Sequence, residues 1–196
     1  MRWDRKRIFR SMQDSEKPLG SYLSEKEAER YFRRNEMLIE FARLFDYGEA
    51  SDRAVAIVGP AFLDGLLSDI LVEFMVDDER EVNKLLQPDG PLGTYGSRVT
   101  ACYCLGLIGE IVAADLRLVG KIRNRFAHDL RADFADLKIS QWCRALQWHK
   151  ESLMADPPLH ATDRDLFQVG VNQLVTYLGG VPSIARSRKR SKVLYT

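Results

Sequence analysis

Apolar residues recur at the spacing of an α-helix along most of this chain, and this pattern limits the fold more than any other feature. No segment shows the strict alternation of apolar and polar residues that is typical of a half-buried strand. The first apolar series falls at Ala28, Tyr31, Phe32, Met37, Leu38, Phe41, Leu44 and Phe45. The chain is therefore predicted to be all-α, a single-domain bundle of about six to eight helices.

Caps and breaks in the sequence divide this pattern into separate helices. Ser24 and Glu27 form a predicted capping box, Ser97 is a predicted N-cap, and Gly179-Gly180 is expected to end the last helix. Pro60 is expected to kink or divide the second helix. The predicted helices cover residues 24–45, 52–76, 78–87, 97–107, 110–128, 136–153 and 163–178.

The length and composition predict a cytoplasmic protein with no membrane association. The chain has 196 residues, enough for one compact domain with its own core. No apolar run reaches the roughly 18–20 residues that a membrane span needs, and the N-terminus lacks the apolar stretch of a secretory signal. Three cysteines, an odd number, are typical of a reducing compartment.

Basic residues are concentrated at the two ends of the chain. Residues 1–10 and 186–196 contain ten of the 29 basic residues and one of the 28 acidic ones, so the rest carries a net charge of −8. We expect a basic N-terminal segment (1–23), a helical domain (24–180) and a basic C-terminal tail (181–196). Candidate nucleic-acid contacts in the tail are Arg186, Arg188, Lys189 and Arg190. Solvated termini without a ligand are the alternative.

A helix-turn-helix is not indicated by the sequence. That motif needs two short helices, a tight turn and a polar second helix that reads bases. The segment 54–87 is too apolar and acidic, and 163–178 does not have this pattern either. Any contact with nucleic acid is therefore expected to involve phosphates without base readout.

The segment from Lys121 to Asp129 contains the residues that most suggest chemistry. On a helical wheel, Arg123 falls inside the apolar stripe that contains Val119, Ile122 and Phe126. A guanidinium in such a position needs a partner, because an unpaired buried charge is costly. The candidate carboxylates are Asp64, Asp69, Glu73 and Asp115.

Arg123, Asn124 and His128 have two interpretations. Arginine binds phosphate bidentately and histidine exchanges protons near neutral pH, which suits metal-independent cleavage of RNA with the 2′-hydroxyl as nucleophile. Five residues turn a helix by about 140°, so Arg123 and His128 would meet only if the helix ended near Ala127 or a second copy supplied one of them. The other interpretation is a buried hydrogen-bond network that pins adjacent helices.

The pattern Arg-Asn-x-x-x-His at residues 123–128 resembles the signature of the HEPN superfamily, small helical bundles that often dimerise and include ribonucleases and toxins. Three longer blocks resemble the family of mannitol operon repressors, MltR, over about residues 54–146. The blocks are Ala61-Phe62-Leu63-Asp64, Gly90-Pro91-Leu92-Gly93-Thr94-Tyr95-Gly96-Ser97-Arg98, and Leu105-Gly106-Leu107-Ile108 running on to Lys121-Ile122-Arg123-Asn124-Arg125-Phe126-Ala127-His128.

The resemblance to the repressor family implies a transcriptional regulator without a recognisable DNA-binding motif. We expect such a protein to act through a protein partner, to form a homodimer, and not to be an enzyme. The alternative, implied by the HEPN-like signature, is a metal-independent endoribonuclease or toxin. In that case Arg123 and His128 would act at a dimer cleft, with Asn124 positioning the phosphate or the histidine.

The loop at residues 88–98 is the remaining candidate binding element. Ser97-Arg98 open a helix whose amides could bind an anion, with Arg98 as the key residue, or the loop is a turn and cap only. It lacks the lysine-serine pair of a nucleotide-binding loop. Cys102, Cys104 and Cys143 have no metal-ligand spacing, so neither a metal nor a cofactor is predicted; they are expected to be buried small apolar residues.

Overall fold

The computed structural model describes residues 24–45, 50–152 and 159–193, with the side chains of 42–44 left aside. Throughout these residues the regular structure is helical and contains no strand, which confirms the predicted all-α class. The predicted basic N-terminal segment, 1–23, lies outside the described residues. Leu153, which the sequence pattern places in a helix, and the last three residues also lie outside the described residues.

Eight helices occur in the described residues. They are α1 (Glu25–Leu44), α2 (Asp52–Phe74), α3 (Glu79–Leu86), α4 (Tyr95–Cys104), α5 (Glu110–His128), α6 (Leu137–Arg144), α7 (Trp148–Glu151) and α8 (Asp163–Ser187). The described residues divide into two compact units, with the boundary between residues 37 and 38. In the first unit the Ser24 amide and hydroxyl both donate to the Glu27 carboxylate at 2.7 Å, and the amide contact is one half of the predicted capping box.

The second unit is built around α2, which packs against α8, α5 and α4. Among the described helices, α2 alone is long and apolar enough to cross a membrane. Half of its most apolar stretch is nevertheless buried inside the protein. The helix runs through Pro60 without a break. Both Gly59 and Pro60 are buried, so packing holds this segment helical although proline lacks the amide of a regular turn.

Two predicted boundaries in the middle of the chain are wrong. The helix expected from residue 97 begins at Tyr95, because Thr94 is its N-cap and Ser97 is the third helical residue of a reciprocal capping box. The helix expected over 136–153 is two short helices, α6 and α7. Between them the carboxylate of Asp115 on α5 accepts the backbone N–H groups of Gln147 and Trp148 at 2.7–3.0 Å, and this long-range contact starts α7.

The last helix is longer than predicted. Thr162 and Asp165 form its capping box, as expected, but α8 continues through Gly179-Gly180 and Pro182 to Ser187. Gly179 faces the Leu38 side chain, and Val181 and Pro182 are buried. Burial of this C-terminal stretch therefore outweighs the helix-ending preference of the glycine pair, so residues 181–187 are part of the helix rather than a tail.

The glycines of the loop between α3 and α4 lie against backbone. A Cβ on Gly93 would be 2.3 Å from the carbonyl oxygen of Gln87 and 2.5 Å from that of Pro88. Gly96, by contrast, is on the exposed side of α4 with open space around it. A side chain is thus excluded at Gly93 and accommodated at Gly96.

We predict that Gly93→Ala lowers the free energy of unfolding by about 2 kcal/mol, because two carbonyl groups would have to move. Gly96→Ala is the matched control, and it should raise stability by roughly 0.5–1 kcal/mol through helix propensity. Urea unfolding followed by circular dichroism measures both. Equal stabilities for the two variants would contradict the close approach at Gly93.

Candidate functional site

The guanidinium of Arg98 joins the loop at 88–98 to α2 and α3. It donates from Nε to the Leu92 carbonyl at 2.9 Å and from a terminal nitrogen to the Leu86 carbonyl at 2.8 Å. Its other terminal nitrogen lies 2.8 Å from the Asp64 carboxylate on α2. The side chain is 12% exposed. All three edges of the predicted anion-binding arginine are therefore engaged within the protein.

The backbone amides of the same loop also have internal partners. The Leu92 amide donates to the Leu85 carbonyl at 2.8 Å, and the Gly93 amide to the Gly90 carbonyl at 2.9 Å. At the start of α4, the amides of Thr94 and Ser97 donate to each other's side-chain oxygens at 3.2 Å. These four amides thus serve as a turn and a cap.

Arg123 lies on the half-buried side of α5, as its place on the helical wheel predicts. Its partner differs from all four predicted carboxylates: the guanidinium carbon is 6.0 Å from the centre of the Tyr95 ring. Asp64 pairs with Arg98 and Asp115 caps α7, so neither is committed to Arg123. The described residues place no carboxylate in an ion pair with Arg123, and an aromatic face substitutes for one.

Tyr95 is a buried residue that sequence reasoning missed. Its hydroxyl donates to the Leu116 carbonyl at 2.9 Å, and its ring meets Gly120, where a Cβ would be 3.0 Å away. Burial raises the pKa of Tyr95 far above its ordinary value, and the nearby Asp64 carboxylate adds to this effect. The phenol therefore stays protonated and holds α4 against α5. No local pattern around Tyr95 indicates this role, because its partners are more than twenty residues away.

Asn124 and His128 are exposed, so the buried network predicted for them with Arg123 does not form. Their side chains make no hydrogen bond or ion pair within the described part of the chain. Since α5 continues to His128, the five-residue separation leaves His128 about 140° around the helix from Arg123. One molecule thus presents the arginine and the histidine on different sides of α5.

All the exposed residues of α5 except Ala127 form a continuous strip along the helix. We call it the open face of α5; its members are Glu110, Ile111, Ala114, Arg117, Lys121, Asn124, Arg125 and His128. At its N-terminal end, the Arg117 guanidinium carbon lies 5.7 Å from the centre of the Tyr103 ring. Tyr103, Leu105 and Ile111 are each 37–43% exposed, so apolar surface borders this basic strip.

Arg53, like Tyr95, is a residue that sequence reasoning missed, and it supports the C-terminal end of α5. Arg53 on α2 donates to the carbonyls of Phe126 and of Asp129, the latter at 2.9 Å. The Phe126 carbonyl is in the last turn of α5 and the Asp129 carbonyl belongs to its C-cap, where backbone oxygens lack helical partners. The contact spans more than seventy residues and leaves no local sequence signal. It fixes the end of the helix that presents His128.

Two of the four basic side chains predicted to contact nucleic acid are held in ion pairs. Arg186 is in α8 and pairs with the buried Glu73, Nε to Oε2, at 3.0 Å. The ammonium group of Lys189 is 3.7 Å from the Asp77 carboxylate. Arg188 and Arg190 are exposed. The structure thus separates Arg186, which is held in an internal ion pair, from three residues nearer the solvent.

The cysteines are free thiols with no metal-ligand cluster among the residues that the structure describes. Cys102 and Cys143 are buried, as predicted, and burial raises the pKa of each thiol to about 12. Cys104 is exposed, contrary to prediction. It is two residues from Cys102, about 200° around α4, and so points away from the core.

Comparisons with known proteins match both the sequence and the fold. The family model of the mannitol repressor, MtlR, matches residues 56–178, so the match extends past the expected end at residue 146 into α8. Among solved structures, the MtlR–HPr complex from Escherichia coli has a similar chain, with a TM-score of 0.55 and 20% identity over 74% of this chain and 98% of that one. No curated protein matches.

We predict that Arg98→Lys lowers the free energy of unfolding by about 2 kcal/mol, because an ammonium group cannot replace three contacts made by a planar fork. Arg131→Lys is the matched control at an exposed position whose side chain has no such contacts, and it should be neutral. Thermal and urea unfolding compare the two variants. An unchanged stability for Arg98→Lys would show that the loop does not depend on this arginine.

Proposed function

Because the chain belongs to the mannitol repressor family, we propose that it is a transcriptional regulator that acts by binding a protein partner. The family match over α2 to α8 carries this proposal. The similar Escherichia coli structure is of an MtlR–HPr complex, which supports HPr or a protein like it as the partner. Neither segment 54–87 nor segment 163–178 has the sequence pattern of a helix-turn-helix, so protein contact is the favoured mode of action.

The open face of α5 is the surface that best fits a protein partner. It has the length of a nineteen-residue helix, and its apolar border at Tyr103, Leu105 and Ile111 resembles the mixed character of recognition surfaces. Arg117 and Lys121 give the strip a positive centre, with Glu110 at one end. Charge complementarity therefore points to a partner that presents carboxylates beside apolar side chains.

We predict that Lys121→Glu weakens binding to HPr about tenfold or more, because a like charge would face the partner's carboxylates. The affinity is measured by isothermal titration of this protein with purified Escherichia coli HPr. Lys138→Glu on α6 is the matched control, since it makes the same charge change at an exposed lysine outside the open face.

Three outcomes of the titration are informative. Loss of affinity in Lys121→Glu with normal binding in Lys138→Glu supports both the partner and the surface. Normal binding in both variants contradicts the surface but keeps the partner. Absence of heat on titration of the folded wild type contradicts HPr as the partner.

A second candidate function, a HEPN-type ribonuclease, is favoured by the exposure of Asn124 and His128. An exposed histidine that no described residue engages is available for proton transfer. Arg123 would have to come from a second copy, because the two side chains diverge around α5. This proposal therefore requires a homodimer in which the His128 of one α5 helix meets the Arg123 of the other.

Incubation of the protein with labelled RNA in EDTA tests the ribonuclease. If it is correct, His128→Ala abolishes cleavage, because the proton-transfer group is removed, while His160→Ala, at another exposed histidine, cleaves normally. Both variants should keep the wild-type circular dichroism spectrum, since neither side chain is buried. No cleavage by the wild type above the His128→Ala level, over several RNAs, rejects the ribonuclease.

A further inference from the structure

The basic C-terminal segment, residues 186–192, is held against the end of α2 and the turn that follows it. Its fixed point is the Arg186–Glu73 ion pair, in which Glu73 is 1% exposed and Arg186 18% exposed. The backbone N–H of Arg190 donates to the Phe74 carbonyl at 2.9 Å. Because the last turn of α2 contains no basic residue, the segment supplies both a donor and positive charge to the negative end of that helix.

The outer contacts of the segment are with two carboxylates in the turn between α2 and α3. The Lys192 ammonium lies 2.9 Å from the Asp78 carboxylate, and the Lys189 ammonium 3.7 Å from that of Asp77. The hydrogen bond from Lys192 lowers the pKa of Asp78. Asp77 is 83% exposed and Lys192 52% exposed. Exposed pairs of this kind are weak, so they open far more easily than the buried Arg186–Glu73 pair.

The remaining charges of the segment face solvent. The Arg190 guanidinium carbon is 5.3 Å from the centre of the Phe74 ring, and Arg188 makes a long contact of 3.4 Å with the Gly106 carbonyl. Both residues are exposed. Four cationic groups therefore occur within five residues, anchored at one end by Arg186 and restrained at the other by two weak ion pairs.

We propose that residues 188–192 bind the phosphate backbone of duplex nucleic acid and that Asp77 and Asp78 compete with the phosphates for Lys189 and Lys192. A duplex carries one negative charge per about 1.7 Å of its axis, so it offers these cations more partners than two carboxylates do. The acidic turn thus reduces the affinity without abolishing it. This inference uses residues outside the open face of α5 and does not depend on the partner proposed above.

Removal of the two competing charges is the direct test. The variant Asp77→Asn with Asp78→Asn keeps the α3 cap, because asparagine caps a helix as well as aspartate does. Fluorescence anisotropy with a labelled DNA duplex should show about fivefold tighter binding than the wild type at low salt. The slope of log affinity against log salt should approach about −3.6, the value for four phosphate contacts.

Two further variants separate competition from general electrostatics. Asp89→Asn with Glu151→Gln removes the same number of charges from exposed positions elsewhere and should leave the affinity near the wild-type value. Lys189→Ala with Lys192→Ala, added to the two asparagine substitutions, should reverse the gain, because those lysines are the groups released. Circular dichroism checks the fold of each protein.

Several results would overturn the proposal. One is the same affinity for the Asp77/Asp78 variant and the Asp89/Glu151 control. Another is a gain that persists after both lysines are removed, which would locate binding elsewhere. Absence of duplex binding by every variant, or binding to vesicles of anionic lipid with none to DNA, would also reject a nucleic-acid site.

Discussion

Close packing of α2 against α8 is the contact on which the positions of the other helices in residues 38–196 depend. A Cβ on Gly59 would lie 2.8 Å from side-chain atoms of both Phe45 and Val171, so the glycine is what allows the helices to approach. The same helix α2 also packs against α4 and α5. Burial of the apolar side chains of α2 gains free energy in proportion to the area removed from water. The short helices and loops pack around α2 and α8.

Arginine side chains connect the ends of these helices. Arg53 donates to carbonyls at the end of α5, and Arg98 to carbonyls at the end of α3 and in the loop beyond it. Arg164 near the start of α8 pairs with Asp52 and donates to the Ala50 carbonyl, before the start of α2. Backbone oxygens at a helix end lack partners within the helix, and the guanidinium fork satisfies two or three acceptors at once. Geometry that would suit phosphate recognition is used here to join helices.

The two surfaces that we propose as binding sites consist of residues that this packing leaves outside the core. Burial of one side of α5 orients Asn124, Lys121 and His128 outward in a single strip, and Arg123 stays against the Tyr95 ring. The extension of α8 to Ser187 carries the basic C-terminal segment to the acidic turn after α2. A protein partner and a polyanion would therefore be bound at different groups of residues, both held in place by the same central pair of helices.

Local patterns in the sequence determined the helical class, most helix positions, the capping box at Thr162, the contact of Ser24 with Glu27, and the inward side of α5 that carries Arg123. These follow from helical period and from cap residues within three or four positions of each other. The tertiary structure alone decided that α8 passes through Gly179-Gly180, that the segment 136–153 breaks where Asp115 caps α7, and that Arg98 pairs with Asp64. Each depends on groups brought together from distant parts of the chain, where burial and long-range hydrogen bonds outweigh local preference.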